Sequence, residues 1–316
     1  MRNRAAFLSG IPRDRMPGQL IIQLTDRCNA LCPQCGMRAS NRFARSSLSI
    51  DCIKRILDSA AEKGIKVVSF TGGEPFLCTD TLIAAINHAG SLGMPYIRTG
   101  TNGFMFRNST GSIEKVKSLA ERLGGTPLRN FWISIDSAIP EVHEHNRGLH
   151  GVMKGIEKAM PVLNECGIYP AANLGINRSV GGTATSDLSV GPPHNSGETD
   201  FSRNYERAFR RFYDRVIDMG FTMVNTCYPM SLDGSETADI DAVYAAASDE
   251  RLVSFSETEK GLLFASLMKV IPVYRPRIRI FTPLSSLYAL KKRYLEGGTG
   301  AYACRGGIDF FFVEAA

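Results

Sequence analysis

The sequence has no apolar run approaching the length of a membrane span, and its Arg-rich stretch before residue 19, broken by Pro12 and Pro17, lacks the apolar core of a secretory signal. Both absences argue against a membrane partner and for a cytoplasmic protein. Histidine is scarce, with five in 316 residues, and there is a single tryptophan. The eight cysteines do not form a disulfide framework, because they are scattered through a chain long enough to bury a core without staples. Thiols used this way belong to a reduced compartment. Charge is not concentrated in long blocks either. The net +6 is dispersed, its densest patches being Arg275, Arg277, Arg279 and Lys291 to Arg293, and such patches are more often solvated faces than nucleic-acid contacts.

One group of cysteines is dense: Cys28, Cys32 and Cys35 fall within eight residues. Three thiolates on one tight loop suit three irons of a four-iron cubane cluster, leaving the fourth iron open to a small molecule. The competing reading is a structural zinc loop. Zinc in that role takes four closed ligands, and no second Cys or Cys/His pair is present, Cys52 and Cys78 each standing alone.

Around that loop the chain alternates short β-rich apolar runs with segments of helical periodicity, the pattern of βα units on a parallel sheet. Strands are expected at Leu20 to Leu24, Val67 to Phe70, Tyr96 to Gly100, Phe131 to Ile135, Tyr169 to Ile176 and Thr222 to Asn225. Between them, Ile50 to Ala60 reads as a helix capped at Gly64, and Val152 to Cys166 as a helix that Pro161 should kink or split. The run Tyr205, Phe209, Phe212 and Val216 marks a strongly amphipathic helix. A last helix, Glu257 to Ile271, opens on a capping box of Ser256 and Glu259. Six such units are fewer than the eight that close a barrel, so the expected fold is α/β: a partial (β/α)6 TIM-like barrel, open on one side, with a short C-terminal appendage. Residues 1–19 then form an N-terminal segment, 20–273 the barrel and 274–316 the extension. Ser179 to Asp200, rich in Gly, Ser, Thr and Pro, reads as a long mobile loop, either an insertion or a lid.

The order of the motifs resembles a known family. Cys28-x3-Cys32-x2-Cys35 after the first strand, answered by Gly72-Gly73-Glu74-Pro75 after the second, resembles the radical S-adenosylmethionine (SAM) superfamily over Leu20 to about Ile271. The resemblance implies a 4Fe-4S cluster on the three cysteines and SAM on the open iron. It further implies reductive cleavage of SAM to a 5′-deoxyadenosyl radical that abstracts a substrate hydrogen, with flavodoxin or ferredoxin as electron donor. Gly72 and Gly73 would let the backbone approach SAM, Glu74 would take its ammonium group, and Pro75 belongs to the same cofactor-binding turn. Thr101 and Asn102 match the third-strand position that contacts the methionine part in relatives. Ser134 and Asp136 resemble the fourth-strand signature, and Arg147 the arginine that pairs with the SAM carboxylate. Asn173 and Asn177 are weaker candidates. The residue before the third cysteine is usually aromatic, whereas here it is Gln34, whose amide would hydrogen-bond the adenine edge.

Near the end, Cys304-Arg305-Gly306-Gly307 followed by the apolar run Phe310 to Val313 resembles the entrance to a SPASM or Twitch extension. Cys304 is thus a candidate ligand of an auxiliary 4Fe-4S cluster, if the chain is a piece of a longer one. The expected function is radical SAM chemistry on an unidentified substrate, in peptide modification or in cofactor or natural-product biosynthesis. The alternative is a small metabolite or nucleoside substrate without auxiliary clusters. A non-catalytic iron-sulfur carrier is the distant reading, since a carrier needs neither Gly72 to Glu74 nor a barrel.

Overall fold

A computed structural model describes residues 18–35, 45–107, 112–190, 197–228, 251–297 and 307–315. Its strands are β1 (Gln19–Gln23), β2 (Val67–Thr71), β3 (Tyr96–Thr101), β4 (Asn130–Ser134), β5 (Ala171–Gly175), β6 (Met223–Cys227), β7 (Arg279–Ile280) and β8 (Phe310–Val313). They form one sheet in the order β7-β6-β5-β4-β3-β2-β1-β8, every pairing parallel. The two ends, β7 and β8, are not paired with each other, so the sheet is an open barrel. Side chains from β1 through β6, with Phe281 just past β7, line a single cavity of about 630 Å3, which places them on the inner face of a curved sheet.

Strand alternation explains both faces, because successive side chains point to opposite sides. Leu20 and Ile22, Val68 and Phe70, Ile97, Phe131 and Ile133, Ala172 and Leu174, and Val224 are all buried against the helical layer. Their neighbours in sequence face the cavity, and most of them are polar: Ser69, Thr71, Arg98, Ser134, Asn173 and Asn225.

The helices are α1 (Ile50–Glu62), α2 (Thr79–Ser91), α3 (Ser112–Gly124), α4 (Pro140–Arg147), α5 (Val152–Glu165), α6 (Thr183–Ser186), α7 (Gly197–Asp218), α8 (Glu257–Tyr274) and α9 (Leu284–Glu296). Among the described residues no helix is long and apolar enough to cross a membrane. α1 starts at Ser49, whose hydroxyl accepts from the Cys52 amide at 3.3 Å, and it buries Ile53, Leu57 and Ala60. Its end is followed by Gly64 at φ +74°, the left-handed cap the sequence calls for. The capping box of α8 is complete: the Glu259 amide donates to Ser256 Oγ at 3.2 Å and the Ser256 amide to Glu259 Oε2 at 2.8 Å.

Two expectations change. α5 runs unbroken through Pro161, which sits on its solvent side while Val152, Met153, Ile156, Ala159, Met160 and Leu163 bury the opposite face; that packing outweighs the lost hydrogen bond. The stretch expected as a mobile loop from Ser179 is packed into turns and a short helix over residues 179–190, while residues 191–196 lie outside the described residues. Val180 and Thr185 are buried, Ser137 Oγ donates to the Val180 carbonyl at 2.8 Å, and Arg178 ties the Leu188 carbonyl at 2.6 Å to Glu259 at 2.6 Å. α7 then begins at Gly197, well before the aromatic stripe that announces it. Residues from 274 onward supply both sheet edges, β8 pairing with β1 in the register Gln19↔Phe310 to Ile22↔Val313.

Candidate functional site

The site lies where β1 to β5 end. β1 delivers the chain into the cysteine loop, and the turn after β2 is packed onto the start of that loop by backbone alone. The Gly73 amide donates to the Thr25 carbonyl at 2.7 Å and the Glu74 amide to the Arg27 carbonyl at 2.8 Å. At this distance side chains do not fit: a Cβ on Gly72, at φ +148°, would lie 2.5 Å from the Thr25 carbonyl oxygen, and one on Gly73 2.2 Å from that of Arg27. The glycines therefore dock the turn against the cysteine loop. Gly73→Ala is expected to destabilise the protein by about 1–3 kcal/mol through overpacking and to loosen the loop, read as a lower urea midpoint.

Glu74 is 1% exposed and receives three hydrogen bonds. Its Oε1 accepts from the Phe76 amide at 3.1 Å and from Thr101 Oγ1 at 2.8 Å, and its Oε2 from the Asn102 amide at 2.7 Å. Burial pushes its pKa up to about 7, the hydrogen bonds holding it lower than burial alone would. Pro75 begins the 3-10 turn that Glu74 caps. Asn102 extends the network to the cysteines, its Nδ2 lying 3.0 Å from Asn29 Oδ1 and 3.7 Å from Cys28 Sγ. β3 thus fixes the carboxylate with Thr101 and reaches the cysteine loop with Asn102.

The far side of the loop rests on α4. The Leu31 amide donates to the Arg147 carbonyl at 2.7 Å, and the Arg147 side chain turns inward to grip Asp136 with two 2.8 Å hydrogen bonds. Burial opposes the Arg147 charge, but Asp136 and the nearby Cys32 outweigh it and raise its pKa. Desolvation pushes the Cys32 thiol up to about 11 although Arg147 pulls it down, and Cys28 is raised in the same way. Among the described residues no three His, Cys, Asp or Glu side chains converge on one metal-ion point. Gln34 sits between the second and third cysteines with its Oε1 buried and without a hydrogen-bond partner. Ser134 and Asn173 line the cavity, and Asn177 Nδ2 donates to the Asp136 carbonyl at 2.9 Å. Cys304 lies outside the described residues.

Behind this face His143, 0% exposed, accepts the Asp136 amide on Nδ1 at 3.0 Å. Burial lowers its pKa to about 4, Asp136 raising it only in part. A histidine protonated near pH 6.5 when unfolded but only near 4 when folded contributes stability above 6.5 that is lost as pH falls to 4. That loss is about 3 kcal/mol at roughly 1.4 kcal/mol per pKa unit. His143→Gln should remove this pH dependence, measured as the difference in urea stability between pH 7 and pH 4 relative to the wild type.

Sequence reading missed the cavity wall: Arg98, Asn130, Trp132, Asn225 and Cys227 all line it. The available signal was the period of two, which puts polar side chains on the inner positions of otherwise apolar strands.

A model of the Radical SAM superfamily matches residues 22–181. A probable GTP 3′,8-cyclase of Thermococcus kodakarensis is 28% identical over 204 residues, covering 59% of this chain and 61% of the relative. One from Sulfolobus acidocaldarius is 34% identical over 146 residues, covering 45% of this chain and 43% of the relative. The chain thus spans between 43% and 61% of these curated relatives. Among solved structures, Streptococcus suis SuiB bound to S-adenosylmethionine matches with a TM-score of 0.60 at 16% identity, over 95% of this chain and 59% of SuiB. Native anSMEcpe with bound AdoMet matches at 0.57 and 14% identity, over 95% and 72%. At these identities the structural matches speak to the fold.

Proposed function

This chain belongs to the radical SAM superfamily, whose cofactors are a 4Fe-4S cluster and SAM, and from that premise we propose that it is an enzyme acting on a small metabolite of the nucleoside kind. The observation that carries the reading is the hydrogen-bonded continuity from Glu74 through Asn102 to Cys28 at one mouth of the cavity. The donor set fits the cofactors. Cys28, Cys32 and Cys35 supply three soft thiolates and, among the described residues, no fourth thiolate joins them on the loop, as a cluster with one open iron requires. When bound, cluster and SAM supply an electron and a hydrogen-abstracting radical.

The chain's own residues orient and enclose. Glu74 offers a buried carboxylate whose pKa near 7 leaves it ready to ionise beside an ammonium group, since a nearby positive charge favours the charged form. Thr101 and the Asn102 amide hold that carboxylate in place, so little reorganisation accompanies binding. Gln34 Oε1, buried and unpartnered, is an acceptor of the kind an exocyclic amino group satisfies. Ser134 lines the cavity with Glu74, and Arg147, its charge paired with Asp136, supports the cysteine loop through its carbonyl, which accepts the Leu31 amide.

The small-metabolite reading draws on the curated relatives named GTP 3′,8-cyclase and on a cavity of about 630 Å3, a volume within the range of small-ligand sites. The test is anaerobic reconstitution with iron and sulfide, then dithionite and SAM, with and without GTP. Formation of 5′-deoxyadenosine supports the enzyme reading, and none despite an intact cluster would sink it. Consumption of GTP would extend the relatives' reaction to this chain.

A further inference from the structure

Three charged side chains line the cavity, and two are accounted for. Glu74 is held by three donors and Arg147 by Asp136. The third, Arg98, projects from the middle of β3. Its Nε donates to the Ser69 hydroxyl on β2, and no carboxylate among the described residues pairs with it. Its electrostatic neighbours are instead the Tyr96 hydroxyl and the Cys227 thiol.

Across the cavity the wall is polar and neutral. Asn225 Nδ2 donates to Asn173 Oδ1 at 2.8 Å, and the Cys227 thiol donates to the same oxygen at 3.4 Å. That thiol is open to the cavity and yet surrounded by protein, so desolvation keeps it protonated and it supplies no counter-charge. Desolvation likewise lowers the pKa of Arg98, though a guanidinium in protein stays charged. A half-buried cation that lines a polar cavity is stabilised by an anion arriving there, and the parallel N–H groups of a guanidinium match an oxyanion.

We propose that Arg98 is the residue that anchors the substrate, seating one oxyanion, a carboxylate or a phosphate, of a small molecule against the β2–β3 wall. The inference rests on the small-metabolite reading above and sharpens it. Among the described residues the cavity holds one uncompensated positive charge, which matches a single oxyanion group. An oxyanion on Arg98 would fix which end of the substrate points away from the cysteine loop, leaving the rest near the mouth where Glu74 and Ser134 lie.

The sole tryptophan gives a direct readout. Trp132 lies on β4 in register with Gly100, two residues beyond Arg98, and a Cβ at Gly100 would sit 1.9 Å from its indole nitrogen, so the ring lies against β3 beside Arg98. The experiment titrates cluster-loaded, SAM-saturated protein with inorganic phosphate, acetate and uncharged guanosine, following Trp132 emission and heat of binding. Saturable binding of at least one oxyanion is expected. It should weaken about tenfold or more in Arg98→Gln, as loss of a charged hydrogen-bond donor predicts, and recover in part in Arg98→Lys. Phosphate binding alone identifies a phosphate ester, and acetate binding alone a carboxylate. Absence of saturable binding by either, or equal affinity in Arg98→Gln, overturns the proposal. The 5′-deoxyadenosine assay of the wild type, run in parallel, separates the two failures. Product without oxyanion binding removes the role of Arg98 and keeps the enzyme reading, whereas no product removes the enzyme reading itself.

Discussion

Cys32→Ser should yield a protein that neither takes up an iron-sulfur cluster nor forms 5′-deoxyadenosine, while its fold persists. Three thiolates are the minimum that the loop provides, and removing one leaves two, too few to hold three irons. The fold should survive because the loop is anchored by backbone bonds rather than by its thiols: Gly73 and Glu74 amides on one side and the Leu31 amide on Arg147 on the other. The measurements are iron and sulfide content, the visible absorbance of the reconstituted protein, and the nucleoside product. A variant that retained a stoichiometric cluster would show that the loop is not its seat. A wild type that bound zinc in place of iron after reconstitution would restore the zinc reading.

Arg147→Met is the second large effect, and it acts on stability. Asp136 is buried, and its two hydrogen bonds to the guanidinium are what compensates its charge. Removing the partner of a buried ion pair typically costs about 3–5 kcal/mol, because the remaining charge is left uncompensated. Arg147→Met with Asp136→Asn should be far less destabilised than the sum of the single changes, since no uncompensated charge then remains. Urea unfolding of the four proteins gives the coupling directly. Additive effects would mean that the pair is held by solvent rather than by each other. Arg147→Lys should fall between, keeping the charge and losing the fork.

Much of this was legible in sequence because it is local. The cysteine spacing, the Gly-Gly-Glu-Pro turn, the cap at Gly64 and the Ser256/Glu259 box are each set by residues within a few positions of one another. Strand and helix order followed from apolar periodicity, and six of the strands fall where that periodicity places them. Local signals misled in two places. Pro161 reads as a breaker, yet the buried face of α5 decides the helix. The Gly- and Ser-rich stretch after Ser179 reads as loop, yet Arg178 and Ser137 pin its first half from elsewhere in the chain.

The cysteine loop, the family and the alternation of strands and helices could be read from the chain alone, because each is written in short-range spacing. Only the tertiary structure decided which residues meet across the cavity. Glu74 finds Asn102 from 28 positions away, Asp136 is gripped by an arginine at the end of the next helix, and Arg98 is left facing neutral amides from β5 and β6. The physical reason is that a parallel sheet joins strands far apart in sequence, so whether a buried charge has a partner depends on register and curvature, which no local pattern records.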